Sequence, residues 1–300
     1  MLRVRELSVR FHTEAGSFLP VERISFDLER GGALALIGES GSGKSTVALS
    51  LLRLLPPGAE VAGSVELLGQ DLLALGEREL PGIRGRKIAM VFHDPLAALN
   101  PVQRIGAQIG ETLGKRDREA VVIDLLRTVG LAAQDADRYP HQLSGGMRQR
   151  ALIAMAIACG PQVLVADEPT SALDPVVQAE IVALLRGLRE ERGLSLLLAT
   201  HDLSLAARLC DAVAVLYAGR IVERGPAAQV LTRPRHPYTL GLLRSLPPRA
   251  EPIAGSAEAP WARPSGCRFR TRCPRAQDDC AQAEPELDAA GVACFHPLEN

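Results

Sequence analysis

The stretch Gly38-Glu39-Ser40-Gly41-Ser42-Gly43-Lys44-Ser45-Thr46 constrains the fold more than any other part of the chain. It follows the apolar run Ala33-Leu34-Ala35-Leu36-Ile37 and leads into Val47-Ala48-Leu49-Ser50-Leu51-Leu52, so strand, glycine-rich turn and helix come in the order a phosphate cradle needs. Gly38, Gly41 and Gly43 let backbone N–H groups turn inward around an anion, with Ser40 and Thr46 completing the cradle. The helix N-terminus adds partial positive charge. In that geometry Lys44 reaches the β- and γ-phosphates of a nucleoside triphosphate such as ATP, and Ser45 ligates Mg²⁺. A flexible Gly/Ser loop is the plain alternative, but it does not account for a Lys-Ser pair at this offset.

At 300 residues the chain has room for one large domain or two, and its formal net charge of −1 gives no nucleic-acid footprint and no basic membrane-surface patch. The most apolar run, Ala151 to Ala158, ends at Gly160-Pro161, well short of a bilayer span. These features predict a soluble, cytosolic chain.

Residues 2–11 alternate apolar and polar side chains and predict a half-buried strand with Phe11 near its end. Ile24 to Glu29 and Ser64 to Gly69 suggest further edge strands, giving a small antiparallel sheet beside a buried parallel one. Near-continuous apolar strands at Lys87 to Phe92, Val163 to Ala166 and Leu194 to Ala199 deliver His93, Asp167-Glu168 and His201 at their carboxyl ends. Parallel sheets collect their chemistry there. Residues from about 96 to 140 read as helices, including Asp117 to Val129 with Gly130 as a stop. Leu143-Ser144-Gly145-Gly146-Met147 opens another helix, in which Met147, Ala151, Met155 and Cys159 are expected to face a core. A hairpin around Ala218-Gly219 closes the α/β part. Beyond about Thr232 the prolines, including Pro234, Pro237, Pro247, Pro248, Pro252, Pro260 and Pro264, exclude long helices and predict a separate, loop-rich appendage.

In this order the motifs resemble the ATP-binding cassette (ABC) family of transport ATPases over about residues 2–232. The resemblance implies an α/β, ABC-type P-loop cassette with a parallel core sheet, an antiparallel β edge and a helical subdomain at about 96–140. Leu143 to Met147 is similar to the family signature, Asp167-Glu168 to its Mg²⁺-associated aspartate and catalytic glutamate, Ser171-Ala172-Leu173-Asp174 to its D-loop, and His201 to its switch histidine. On that reading Asp167 holds the metal through water, Glu168 polarises the attacking water and His201 contacts the γ-phosphate. Ser144, Gly145 and Gly146 face the ATP of an opposing cassette, so two cassettes close over two nucleotides and hydrolysis reopens them.

Phe11 stands as either an adenine-stacking ring or ordinary edge packing, since the loop from Glu14 to Pro20 is longer than a minimal one. His93, in Val91-Phe92-His93-Asp94-Pro95, occupies the place where the family carries Gln. Either the substitution is tolerated with altered coupling, keeping His93 among the catalytic residues, or it weakens one site of an asymmetric pair.

Cys159 and Cys210 lie alone in apolar helical contexts and read as core. Cys267, Cys273, Cys280 and Cys294 crowd the C-terminus with gaps of five, six and thirteen residues. In a reducing cytosol they read as metal or cluster ligands before disulfides, and zinc, an iron–sulfur cluster and free thiols all stay open. Arg268, Arg270, Arg272 and Arg275 either offset thiolate charge or form a solvated basic loop. His236-Pro237-Tyr238-Thr239, Leu242-Leu243-Arg244-Ser245, the cysteine segment and Asp94 to Pro101 are similar to ATPases of the oligopeptide/dipeptide/nickel importer branch, most of all its D-type subunits. That resemblance implies a C-terminal extension at 233–300 and favours [4Fe-4S] over zinc.

The expected protein is the ATP-hydrolysing subunit of a di- or oligopeptide importer, peripheral on the cytoplasmic face of the membrane. It would pair with a second ABC ATPase and dock on two transmembrane permease subunits through the surface around residues 93–140. An extracytoplasmic solute-binding protein would serve it indirectly. The alternatives are a soluble ABC ATPase of DNA repair, translation or iron–sulfur assembly, and a catalytically weakened partner ATPase.

Overall fold

The computed structural model describes residues 1–14, 16–113, 118–171, 173–256 and 263–299. Asp117, Ala172 and Pro260, assigned above to a helix, the D-loop and the tail, lie outside the described residues. The strands are β1 (Leu2–Thr13), β2 (Gly16–Leu28), β3 (Ala33–Ile37), β4 (Glu60–Leu67), β5 (Gln70–Asp71), β6 (Ile88–Val91), β7 (Val163–Asp167), β8 (Ser195–Thr200), β9 (Ala212–Tyr217) and β10 (Arg220–Pro226). The helices are α1 (Lys44–Leu51), α2 (Pro95–Ala98), α3 (Ile105–Thr112), α4 (Arg118–Thr128), α5 (Gly145–Ile157), α6 (Pro175–Arg192), α7 (Leu203–Leu209), α8 (Ala227–Val230) and α9 (Pro237–Arg244). The chain forms two compact units, Met1–Ala74 with Leu198–Asn300, and Leu75–Leu197.

In the first unit β1 pairs antiparallel with β2 and β4, and β5 extends that sheet. Leu2, Val4, Leu7 and Val9 are buried, so the alternation slips by one residue. A bulge between Val4 and Leu7 causes the slip, and there Glu6 takes φ 49°. The segment expected as a long loop from Glu14 to Pro20 is strand from Gly16 onward, because Thr13 pairs directly with Gly16. β3 is buried at every residue and runs parallel to β9, as a strand covered on both faces should. The β9–β10 hairpin turns through Ala218 and Gly219 with φ of 45° and 86°, the two positive values a two-residue type I′ turn requires.

The C-terminal segment is loop-rich, as its prolines demand, but it is no separate appendage. The buried Glu223 carboxylate accepts from the backbone N–H groups of Arg235 (2.7 Å) and His236 (3.1 Å). His236 Nδ1 in turn accepts from the Tyr238 N–H at 3.0 Å, capping α9. Burial pushes that imidazole down to about 3, which keeps it neutral and able to accept. Tyr217, Tyr238 and Phe269 interlock, with ring centroids 4.6, 5.1 and 5.3 Å apart. Arg268 bridges Glu22 of β2 and Glu284, and Arg263 reaches Glu22 at 3.0 Å.

In the second unit β6 and β7 are parallel and buried throughout. The helix expected from Arg148 begins at Gly145, and its buried surface is broader than a single stripe. Of Met147, Ala151, Met155 and Cys159 only Ala151 is fully buried, whereas Gly146, Gln149, Leu152, Ile153, Ala154 and Ile157 are buried as well. The cause is packing on several sides, since α5 touches β6, α2, α3, α4 and α6. Cys159 is half-buried, its thiol donating to the Thr112 carbonyl at 2.9 Å; Cys210, in the first unit, is buried.

Candidate nucleotide site and thiol pocket

The phosphate loop occupies Gly38 to Gly43, between β3 and α1. Gly43 is the N-cap residue of α1 at φ 107°, and a Cβ there would lie 2.6 Å from the Pro20 carbonyl oxygen. No side chain caps α1 and no acidic residue lies in its first turn, so Lys44, Ser45 and Thr46 present helix N–H groups to an incoming anion. The Lys44 ammonium, 5% exposed, donates to the carbonyls of Gly38 (2.8 Å) and Glu39 (3.0 Å). Ser40, Gly41 and Ser45 are exposed, as phosphate and metal contacts require. Gly43→Ala is expected to weaken MgATP binding by at least roughly tenfold, from backbone strain and the Pro20 contact together. A binding isotherm matching the native chain would remove that role from Gly43.

His201, exposed, follows β8, and Asp202 caps α7 by accepting from Ser204 N–H at 2.8 Å and Leu205 N–H at 3.1 Å. Phe11 is half-buried and packs across the β1–β2 ladder on Phe18, with ring centroids 5.7 Å apart.

The second unit carries the other site residues. Asp167 ends β7 and is 4% exposed; Glu168 follows at φ 49°, a conformation that non-glycine residues adopt mainly where surrounding structure enforces it. The Ser171 hydroxyl donates to the Glu168 carbonyl at 2.9 Å and lies 3.2 Å from His93 Nδ1. In the tautomer whose Nδ1–H donates to Ser171 Oγ, His93 keeps a lone pair on Nε2, able to accept a hydrogen bond or ligate a metal, as a Gln carbonyl oxygen does.

Ser144 Oγ accepts from Met147 N–H at 3.3 Å and caps α5. Asp174 Oδ1 caps α6, accepting from Val176 (3.0 Å) and Val177 (3.1 Å) N–H groups. Sequence reasoning missed both capping duties, although Asp174-Pro175 is a start signal for a helix. Gly145 is exposed, while Gly146 is buried where a Cβ would lie 2.4 Å from Val177 Cγ1, so only glycine lets α5 and α6 approach this closely.

Cys267, Cys273, Cys280 and Cys294 line one cavity, together with His236, Phe269 and His296. Burial pushes the Cys267 thiol up to about 12 and raises those of Cys273 and Cys294. The four arginines divide. Arg268 and Arg272 are engaged by glutamates, whereas Arg270 and Arg275 line the cavity. Four thiolates on one tetrahedral zinc stand about 3.8 Å apart. Among the described residues the metal-capable group with donor atoms within 4.8 Å of one another is Asp279, Cys280 and His296, so the four sulfurs are not drawn to zinc spacing.

A phosphate loop after one fully buried strand and an Asp-Glu pair at the end of another are the marks of a P-loop nucleoside triphosphatase. The ABC transporter model matches residues 21–171, and that of the oligopeptide/dipeptide transporter C-terminal region matches residues 222–280. The chain is 43% identical to the dipeptide transport ATP-binding protein DppD of Escherichia coli over 100% of its length and 98% of that protein's. It is also 43% identical to the DppD of Haemophilus influenzae, over 100% of this chain and 96% of the relative. Among solved structures, the dimeric bacterial ABC transporter cassette MJ0796 superposes with a TM-score of 0.69 at 27% identity, covering 76% of this chain and 99% of that one. The chain belongs to the ABC transporter family of ATP-binding proteins, and it is an ATPase.

Proposed function

We propose that this ATPase energises an importer of di- or oligopeptides. The observation that carries the reading is one chain holding both the cassette and the oligopeptide/dipeptide-type C-terminal region, at 43% identity to dipeptide transport ATP-binding proteins along its whole length. The cassette would extend to about residue 232, with the C-terminal extension beyond it. No helix among the described residues is long and apolar enough to cross a membrane. Two transmembrane subunits would bind around residues 93–140, where Phe92, Leu96 and Val102 expose apolar side chains. A second ABC ATPase would complete the nucleotide sites at the cytoplasmic face, and an extracytoplasmic binding protein would deliver the peptide.

In this reading the α1 N-terminus and Lys44 bind the phosphates, and Ser45 with Asp167 would hold Mg²⁺, which supplies charge neutralisation when bound. Glu168 accepts a proton from the attacking water as the water oxygen bonds to the γ-phosphorus and the bond from that phosphorus to the β,γ-bridging oxygen breaks, leaving ADP and phosphate, while His201 steadies the γ-phosphate. Ser144 to Gly146 contact the nucleotide of the opposing cassette, and Asp174 stands in the loop leading from Glu168. Phe11 is the candidate adenine platform. His93 Nε2 takes the place of the Gln oxygen. With the partner ATPase inactivated, the native chain is expected to sustain turnover, and His93→Gln to retune it. Turnover only in His93→Gln would instead mark this site as one that holds ATP without hydrolysing it. The four pocket cysteines would hold an iron–sulfur centre, with zinc as the second choice.

Purification of the tagged full-length chain from membranes tests the assignment. Co-isolation of permease subunits, with turnover stimulated by peptide-loaded binding protein, is the expected result. A chain recovered without membrane subunits would favour a soluble ABC ATPase.

A further inference from the structure

We propose that Arg272 and Tyr238, from the C-terminal segment, are positioning residues for the phosphate loop, gripping Glu39 by side chain and backbone and so fixing where Lys44 stands. The inference rests on ATP binding by that loop.

The grip on Glu39 is complete. Arg272 Nη1 lies 2.7 Å from Glu39 Oε2 and Nη2 lies 3.0 Å from Oε1, the paired geometry only a guanidinium gives a carboxylate. The guanidinium is itself fixed, its side chain 4% exposed, its Nε donating to the Ala254 carbonyl at 3.0 Å and its Cζ 5.7 Å from the Tyr217 ring centroid. The Glu39 N–H donates to the Tyr238 hydroxyl at 3.0 Å, and Tyr238 is fully buried in the Tyr217–Phe269 ring cluster. The Glu39 carbonyl accepts from Lys44 Nζ at 3.0 Å and from Ser42 N–H at 3.2 Å. Every polar group of Glu39 is thus bound, the outer ones by the C-terminal segment and the inner one by the residues that meet phosphate.

An ion pair serving only to anchor the C-terminal segment would alter melting and leave nucleotide affinity alone. Positioning makes a different demand. Charge-assisted pairs of this kind are worth enough that losing one should cost roughly tenfold or more in affinity. MgATP binding to the full-length chain is therefore measured for the native protein, Arg272→Met, Tyr238→Phe, Glu39→Gln and the double variant Arg272→Met/Glu39→Gln. Each single variant is expected to weaken binding by about tenfold, with KM for MgATP rising more than kcat falls. The double variant is expected to bind no worse than the weaker of its two parents, because both remove one interaction. Tyr238→Phe removes a single oxygen while keeping the ring packing, and it carries the test by itself if Arg272→Met does not fold. Native affinity in Tyr238→Phe and Arg272→Met, or additive losses in the double variant, would overturn the proposal. Lys44→Ala separates the two levels: a native chain that binds MgATP no better than Lys44→Ala refutes the cassette reading itself.

Discussion

Glu168→Gln is expected to bind MgATP within about threefold of the native chain while losing roughly 10²–10⁴-fold in turnover, the range a positioned general base contributes. Affinity and chemistry separate because different residues carry them. On the proposed reading, phosphate affinity comes from Lys44 and the first turn of α1, and the substitution alters neither. The backbone at Glu168 does not depend on its carboxylate either, since its carbonyl is held by the Ser171 hydroxyl at 2.9 Å. Gln keeps the size of the side chain while removing its charge and its ability to take a proton from water. Single-turnover hydrolysis and equilibrium binding on the same preparation make the comparison. Unchanged turnover would move water activation to another group, and lost binding would make Glu168 a binding residue instead of a base.

The parts of this site that were legible in the sequence are those written in consecutive residues. Strand, glycines and Lys44-Ser45 announce the phosphate loop, and a run of four apolar residues before Asp167 announces a buried strand that ends in acid. The D-loop, the signature and the switch histidine needed a family resemblance to acquire meaning, because Ser144 or His201 alone carries no local signal. What stayed hidden depends on pairing partners far along the chain. The bulge at Glu6 exists only against β2 and β4, and it shifts which residues face the core. Phe11 alone reads as edge packing or as an adenine platform, and its contact with Phe18 appears only once β1 and β2 are paired. The proline-rich tail looked detached because nothing near Arg272 in sequence reveals Glu39, and nothing near Glu22 reveals Arg268. The α5 stripe failed for a related reason: periodicity reports one buried face, and this helix has several neighbours.

The second large effect belongs to the thiol pocket. Cys280→Ser is expected to abolish metal retention by the chain purified without oxygen, read as iron or zinc per chain and as loss of visible absorbance. Cys280 is the most enclosed of the four at 6% exposure, and its carbonyl accepts from the Cys267 N–H at 2.8 Å, so two of the candidate ligands share one rigid corner. A hydroxyl in place of the thiol leaves the corner intact and removes a soft ligand. Cys159→Ser and Cys210→Ser are the controls, since both residues lie outside the pocket, and they should retain the native metal content. The identity of the metal follows from the same measurement: absorbance with iron supports the cluster, and zinc alone means that the sulfurs close to a tighter geometry on binding. Metal content unaffected by Cys280→Ser, or a native chain devoid of metal, would leave the pocket as one buried and three half-buried thiols. Such a pocket would still connect to the nucleotide, because Cys273 directly follows Arg272, whose guanidinium holds Glu39. A change that displaces Cys273 should therefore be felt first as a change in MgATP affinity, before any loss of the fold.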